Sequence, residues 1–456
     1  MRLTIACPCV LALACAGWPA PAPGQDKKPR AALTDASLIK IADEVQKEVE
    51  ELRGWKFKRP VKKGVYTEKQ LRAFIEKKLF EEGYGEGRLE RLQAFLRMTE
   101  IIPPKCDLRK NFLDVLIEQI GGFYDPATSA FYMMNRERFG PLANRIIIAH
   151  ELTHALDDQY VDLEKLLNPR DMSEDQRAAI AGVVEGSATV LMMRYTFRAQ
   201  LSGKYDLNEL TEMMAAEMER ADVLVKAPPY FTTLVASYMC GMHFVRRGEM
   251  VLVPDPSKDK GVGADVLKAL KDPPTSSEQI LHPEKYWDKS KRDDPVMVSD
   301  EDVQKLVERP GTYVVHKDTA GELLCAIVTA PAERELNIML MHLPSFWTNE
   351  AATGWGGDRF YLLAKGPDQK KAGADLRGLR GVWITLWDTH NDRDEFLEDY
   401  EYQRKIASRT AFKLGRRGAI FLFGFDADEC EALKKRIEAD PPRFTRAGKS
   451  WSLDAR

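Results

Sequence analysis

Apolar residues recur at helical spacing from Thr34 to Leu52, set among lysines and glutamates, and Thr34 precedes them as a capping residue. The pattern predicts an amphipathic helix, with two roles open to it: an inhibitory prosegment or a scaffold helix. Lys56 to Tyr66 reads as extended, and Thr67, Glu68, Leu71, Phe74 and Leu79 open a second helix. Two further helical patterns, Leu89–Thr99 and Asp107–Ile120, are separated by Pro103-Pro104. From Gly121 to Met133 an aromatic run, an Asp-Pro turn and a second aromatic run predict a hairpin. Pro141 to about Asp158 and Ser173 to about Arg198 are strongly helical, the second rich in Ala, Gly and Met. Tyr230–Arg247 reads as another helix, Pro254–Pro274 as loop or linker, and Thr275–Trp287 as the segment that closes this region.

The rhythm changes near Asp302. A helix from the capping box Thr319-Ala-Gly-Glu322 is followed by strands Arg359–Ala364 and Gly381–Trp387, a helix Asp392–Ser408, a hairpin Thr410–Phe425 and a helix Ala427–Ala439. The expected fold class is therefore α+β. A mostly helical domain occupies 25–300, with N-terminal helices to about residue 120 and a core at 121–290, and a smaller α+β module fills 301–456.

The first residues follow a different logic. Arg2 gives a positive start, Leu3–Trp18 is almost wholly apolar, and Ala20, Ala22 and Gly24 are small, so 1–24 reads as an export signal cut after Gly24. It is too short to span a membrane in the mature chain, and no integral membrane segment is expected once it is removed. Cys15 follows Ala14, but Ala12-Leu13 stand in the wrong order for a lipoprotein box, so a lipid anchor is the weaker expectation. The chain is expected to be periplasmic or extracellular.

Length and charge narrow the class. At 456 residues the chain exceeds one small domain, given a prior of ~150 residues per domain. Lys and Arg total 67 against 70 Asp and Glu, which gives no electrostatic reason to expect nucleic acid or an anionic membrane as partner. Of seven cysteines, Cys7, Cys9 and Cys15 would leave with the signal. Cys106, Cys240, Cys325 and Cys430 are too far apart for a cysteine metal site or redox motif, and either one or two disulfides or four free thiols fit.

The chemistry concentrates in Ala149-His150-Glu151-Leu152-Thr153-His154. Two histidines four residues apart share one helix face, which is metal-ligand spacing. Glu151 stands beside them, where a carboxylate takes a proton from a water that zinc has acidified to a pKa of ~7. Two ligands leave the site incomplete. The extended metzincin pattern fails, since Asp157 and Tyr160 stand where it needs Gly and His. Glu185, in Ala181-Gly-Val-Val-Glu185-Gly-Ser-Ala-Thr189, is the third-ligand candidate, because a carboxylate in so apolar a helix is costly unless paired or bound to metal. A buried Glu185 paired with an Arg is the other reading, and Glu164 and Glu174 are weaker rivals. Gly182, Gly186 and Ala188 are expected to let this helix approach the motif helix closely. Two histidines and a glutamate leave the fourth zinc position open, the mark of a catalytic site. Asp158, one turn past His154, is the candidate to hold a histidine ring through its other nitrogen, with a solvated role as the alternative. Tyr238 and His282 are candidate oxyanion donors, with a core tyrosine and a loop histidine as the other readings and His243 weaker, and the 121–133 hairpin is open to two roles, an edge strand for an extended peptide or ordinary scaffold.

His-Glu-Leu-Thr-His-Ala with Asp158 resembles the active-site helix of thermolysin-like gluzincins, and Glu185 is placed as their downstream glutamate ligand. The gap from His154 to Glu185 is longer than theirs, and Gly186-Ser-Ala-Thr replaces their usual continuation. The chain is also similar to exported bacterial proteins that combine Gly122–Pro126, His150–His154, Val184–Thr189, Leu281–Tyr286, Gly354–Asp358 and Trp383–Asp388 segments of this kind. The resemblance implies a gluzincin-like fold, one catalytic zinc, and a protein or peptide substrate hydrolysed with Glu151 as general base. A second reading is a zinc-binding scaffold without catalysis, for which Trp355, Trp383, Trp387 and Phe360 are a candidate recognition surface, although aromatics at these spacings are more often core.

Overall fold

The computed structural model describes residues 4–6, 34–134, 136, 139–168, 172–205, 208–209, 211–212, 215, 223–224, 226–249, 261–331, 340–374, 377–404 and 411–454. The expected export signal lies outside them except for Thr4–Ala6, as do residues 254–260 of the expected linker and the end of the helix expected to reach Ser408. The fold is α+β, and no helix among the described residues is long and apolar enough to cross a membrane.

The N-terminal half packs helices around a small sheet. Strand β1 (Thr4–Ala6) and helix α1 (Asp35–Arg53) come first. Thr34 and Ser37 form a reciprocal cap on α1, a feature that contributes about 1 kcal/mol. Strand β2 (Lys62–Tyr66), helices α2 (Glu68–Ile75), α3 (Arg88–Met98) and α4 (Leu108–Gln119), and the hairpin β3 (Gly122–Asp125) and β4 (Ala130–Met134) follow. The sheet order is β1-β3-β4-β2, with β2 parallel to β4 and the other pairs antiparallel. The second part of the segment read only as extended, Lys62–Tyr66, is thus a paired strand. Its partner lies more than sixty residues away, out of reach of local pattern.

Helices α5 (Pro141–Asp158), α6 (Glu174–Leu201), α7 (Thr233–Val245) and α8 (Ser277–Leu281) complete this half. Within the stretch expected as a loop, Val262–Lys271 is a helix, because Val262, Val266, Ala269 and Leu270 form a buried stripe at helical spacing.

Beyond strand β5 (Val296–Val298) the chain forms β6 (Thr312–Asp318), α9 (Gly321–Thr329), β7 (Trp355–Lys365), β8 (Arg380–Trp387), α10 (His390–Arg404), β9 (Ala411–Leu414), β10 (Gly418–Phe423), α11 (Ala427–Ala439), β11 (Phe444–Arg446) and β12 (Lys449–Trp451). Five strands form an antiparallel sheet in the order β6-β7-β8-β10-β9, and β12-β11-β5 form a smaller one. The larger sheet is buried on both faces. Phe360, Leu362, Trp383 and Phe421 join the main core, while Tyr361, Leu363, Ile384 and Leu422 face a second core closed by α11. The main core runs from Leu38 to Phe421, across residue 300, and Phe95 packs on Phe360 with ring centroids 4.4 Å apart.

Trp355, Trp383, Trp387 and Phe360 are fully buried, which agrees with the reading of these aromatics as core and not with the alternative of a recognition surface. The indole nitrogens of Trp355 and Trp383 both donate to Asp358, each at 3.0 Å. Thr319 does not cap α9. Asp358 does so from β7, accepting from the backbone nitrogens of Ala320 at 2.9 Å and Gly321 at 2.8 Å. Cys106, Cys240, Cys325 and Cys430 are buried, and no disulfide links them among the described residues.

Candidate metal centre

Helix α5 begins at Pro141, whose missing N–H costs nothing at a helix start, and nearly every later residue is buried. A helix buried all round has no polar face, so imidazoles placed on it meet protein on every side. His150 and His154 lie one turn apart with ring centroids 4.7 Å apart, and Glu185 reaches them from α6. The His150 Nε2 to Glu185 Oε2 distance is 3.2 Å, the His154 Nε2 to Glu185 Oε2 distance 3.4 Å, and the two Nε2 atoms are 3.0 Å apart. Zinc bound tetrahedrally at ~2.0–2.2 Å sets its ligand atoms roughly 3.3–3.5 Å apart, so this triangle fits such an ion. Glu164 and Glu174 do not join the set.

The electrostatics suit a cation. Burial, with His154 adding to it, pushes His150 down to about 4, so its ring is neutral at physiological pH. Burial would raise Glu185, yet the adjacent imidazoles hold it at about 2 and ionised. Neutral imidazole and ionised carboxylate are the protonation states that metal binding requires.

Glu151 follows His150 directly and is fully buried. Tyr238, from α7, lies over His150 with ring centroids 6.0 Å apart and planes 30° apart. Tyr238 and Glu185 also line a cavity of about 140 Å³, whose walls include Phe112, Val184, Leu234 and Leu323. His282 lies elsewhere in the contact network. Its Nε2 is 2.9 Å from Glu322 of α9, to which Thr348 also donates, so it joins the two halves of the chain and is not brought to the triangle.

Asp158 requires a correction. Its carboxylate accepts from the Tyr124 hydroxyl at 2.8 Å, the Leu163 backbone at 3.0 Å and Arg59 at 3.2 Å, while Nδ1 of both His150 and His154 is buried without a hydrogen bond. It ties the motif helix to β3 instead of holding a ring. The glycines also act differently from expectation. A Cβ on Gly186 would lie 2.2 Å from the Gly241 backbone, and one on Gly241 would lie 2.0 Å from the Gly182 carbonyl oxygen. The close approach they permit is thus between α6 and α7, the helix from which Tyr238 reaches the cavity that Glu185 also lines.

A buried node on the same two helices had no counterpart among the residues singled out from the sequence. Arg53 donates to both Asp157 oxygens at 2.8 and 2.9 Å and to Ser187, and Ser187 donates to Asp157. A signal for it was present. Leu38, Ala42, Val45, Val49 and Arg53 form one buried stripe of α1, and an arginine that continues an apolar stripe needs a buried partner.

A second acidic group, Glu278, Asp293 and Asp388, already surrounds a cation. The Lys285 ammonium bonds Glu278 and lies 3.3 Å from Asp293 and 3.5 Å from Asp388.

Comparison with known proteins reaches only the C-terminal region. A family model described as a domain of unknown function, DUF8575, matches residues 308–422. That segment runs from just before β6 into β10, and so covers most of the larger sheet with α9 and α10. No curated protein and no solved structure matches the chain.

Proposed function

We propose that this chain is an exported, gluzincin-type zinc peptidase that hydrolyses peptide bonds. The observation that carries the reading is the buried triangle of His150, His154 and Glu185 with Glu151 on the same helical turn. A zinc ion held by those three side chains would supply the Lewis acidity that polarises a carbonyl and acidifies a water. Glu151 takes the proton of the attacking water and passes it to the leaving amine. The Tyr238 hydroxyl donates to the oxygen on which negative charge develops, and the cavity beside Glu185 receives an apolar side chain of the substrate. Thr4–Ala6 pairs along β3, which supports a substrate mode in which an extended peptide adds to that edge once the signal is removed.

The test is zinc content and hydrolysis of casein or a peptide library by the parent and by Glu151→Gln. The expected result is one zinc in each protein, with hydrolysis reduced by a factor of ~100 or more in the variant. Cleavage by Glu151→Gln at the parent rate would refute the mechanism.

A further inference from the structure

The node of Arg53, Asp157 and Ser187 lies where three helices meet: α1 supplies Arg53, the motif helix supplies Asp157 and the third-ligand helix supplies Ser187. Asp157 is three residues past His154, and Ser187 two past Glu185, so each sits within one turn of a ligand. The side chains of Arg53 and Asp157 are 3% and 1% exposed, and Ser187 is fully buried. All three acceptor atoms are reached from one guanidinium nitrogen, Nη2, so a single buried cationic donor holds the Asp157 carboxylate and the Ser187 hydroxyl together. Around the node, the Arg53 guanidinium packs on the Trp55 ring at 5.0 Å, and Trp55 stacks on Tyr160 at 4.6 Å, just past the end of the motif helix.

We infer that Arg53 is a positioning residue of the metal centre, setting the distance between the helix that carries His150 and His154 and the helix that carries Glu185. The inference rests on the reading of these three residues as metal ligands. It also assigns α1 a role: the helix is a fixed part of the site, not a detachable inhibitory segment. A metal triangle with edges near 3 Å tolerates little sliding between helices, and a buried three-way bond limits such sliding.

The test compares Zn²⁺ affinity, by chelator competition, and the visible absorption of the Co²⁺-substituted protein across four variants of the full chain. Arg53→Met removes the node, Arg53→Lys keeps a charged donor on a different stem, and Ser187→Ala removes the two bonds that reach α6, from Arg53 and to Asp157. Arg145→Met is the control, since Arg145 also joins α1, α5 and α6, through Glu44, Glu48 and Tyr195, but lies five residues before His150. The expected result is a ~10–100-fold loss of Zn²⁺ affinity and an altered Co²⁺ spectrum for Arg53→Met, partial recovery in Arg53→Lys, a smaller loss for Ser187→Ala, and parent-like values for Arg145→Met. Should Arg53→Met fail to fold, Ser187→Ala carries the test. Parent-like affinity and spectrum in the Arg53 and Ser187 variants would overturn the inference, as would an equal loss in Arg145→Met. A parent that binds no zinc would instead refute the metal-centre reading.

Discussion

Asp175 offers a direct measure of how the two halves of the chain are joined. It lies in the first turn of α6, is buried, and accepts from the Ser277 backbone at 2.9 Å. Its own backbone nitrogen donates to Thr319 at 3.3 Å. Burial raises its carboxyl to about 7, Asp358 and Glu322 add to the rise, and the bonds from Ser277 oppose it. In an unfolded chain the same group titrates near ~3.9. Between roughly pH 4 and pH 7, therefore, the unfolded chain has released a proton that the folded chain retains, and stability falls as pH rises. The contribution is fully present below about pH 4 and is lost by about pH 7. At ~1.4 kcal/mol per pH unit over ~3 units, the loss is on the order of 4 kcal/mol, a ceiling because the helix N-terminus favours the ionised form. Asp175→Asn keeps the shape and the acceptor for Ser277 but does not titrate. Urea unfolding of parent and variant at pH 4, 5.5 and 7.5 is the assay. The stability of the variant relative to the parent is expected to rise steadily with pH, by up to ~4 kcal/mol across that range. Parallel pH profiles for the two proteins would refute a buried, protonated Asp175.

Two further perturbations probe the frame of the site. Gly241→Ala places a methyl group 2.0 Å from the Gly182 carbonyl oxygen, so α6 and α7 must part; thermal unfolding should show a loss of ~1–3 kcal/mol or more, and a zinc titration should show weakened binding as Glu185 shifts. Lys285→Met leaves Glu278 buried beside Asp293 and Asp388 without its counter-charge; denaturant unfolding should show a loss of ~3–5 kcal/mol, in part restored by adding Glu278→Gln.

The contrast between His150, Glu185 and Asp158 shows which features of the site were legible. His150 and His154 are related by one helical turn, and a sequence states that relation outright. Glu185 was legible by cost, since a carboxylate in an apolar helix needs a partner, and the structure places it 3.2 Å from His150. Asp158 had the right spacing to reach a ring, yet its bonds go to Tyr124, Leu163 and Arg59. A helix of known residues does not say which neighbour stands beside it. The same limit applies to the glycines around Glu185, whose presence signalled close packing but whose partner, α7, depends on how the helices cross. It applies again to α9, where Thr319 and Glu322 matched a local capping pattern but Asp358 of β7 supplied the cap.

By itself, then, the sequence determined the α+β class, most of the helices and the hairpin before the motif, and the two-histidine spacing with Glu151 between them. These follow from periodicity and turn chemistry, which act over a few residues. Only the tertiary structure decided that the C-terminal sheet shares the main core, that its tryptophans are buried, that Asp157 and not Asp158 joins the buried node with Ser187, and that Arg53 reaches Asp157 from more than a hundred residues away. Those facts depend on which surfaces meet, and burial assigns partners by shape and charge across the whole chain rather than by neighbourhood along it.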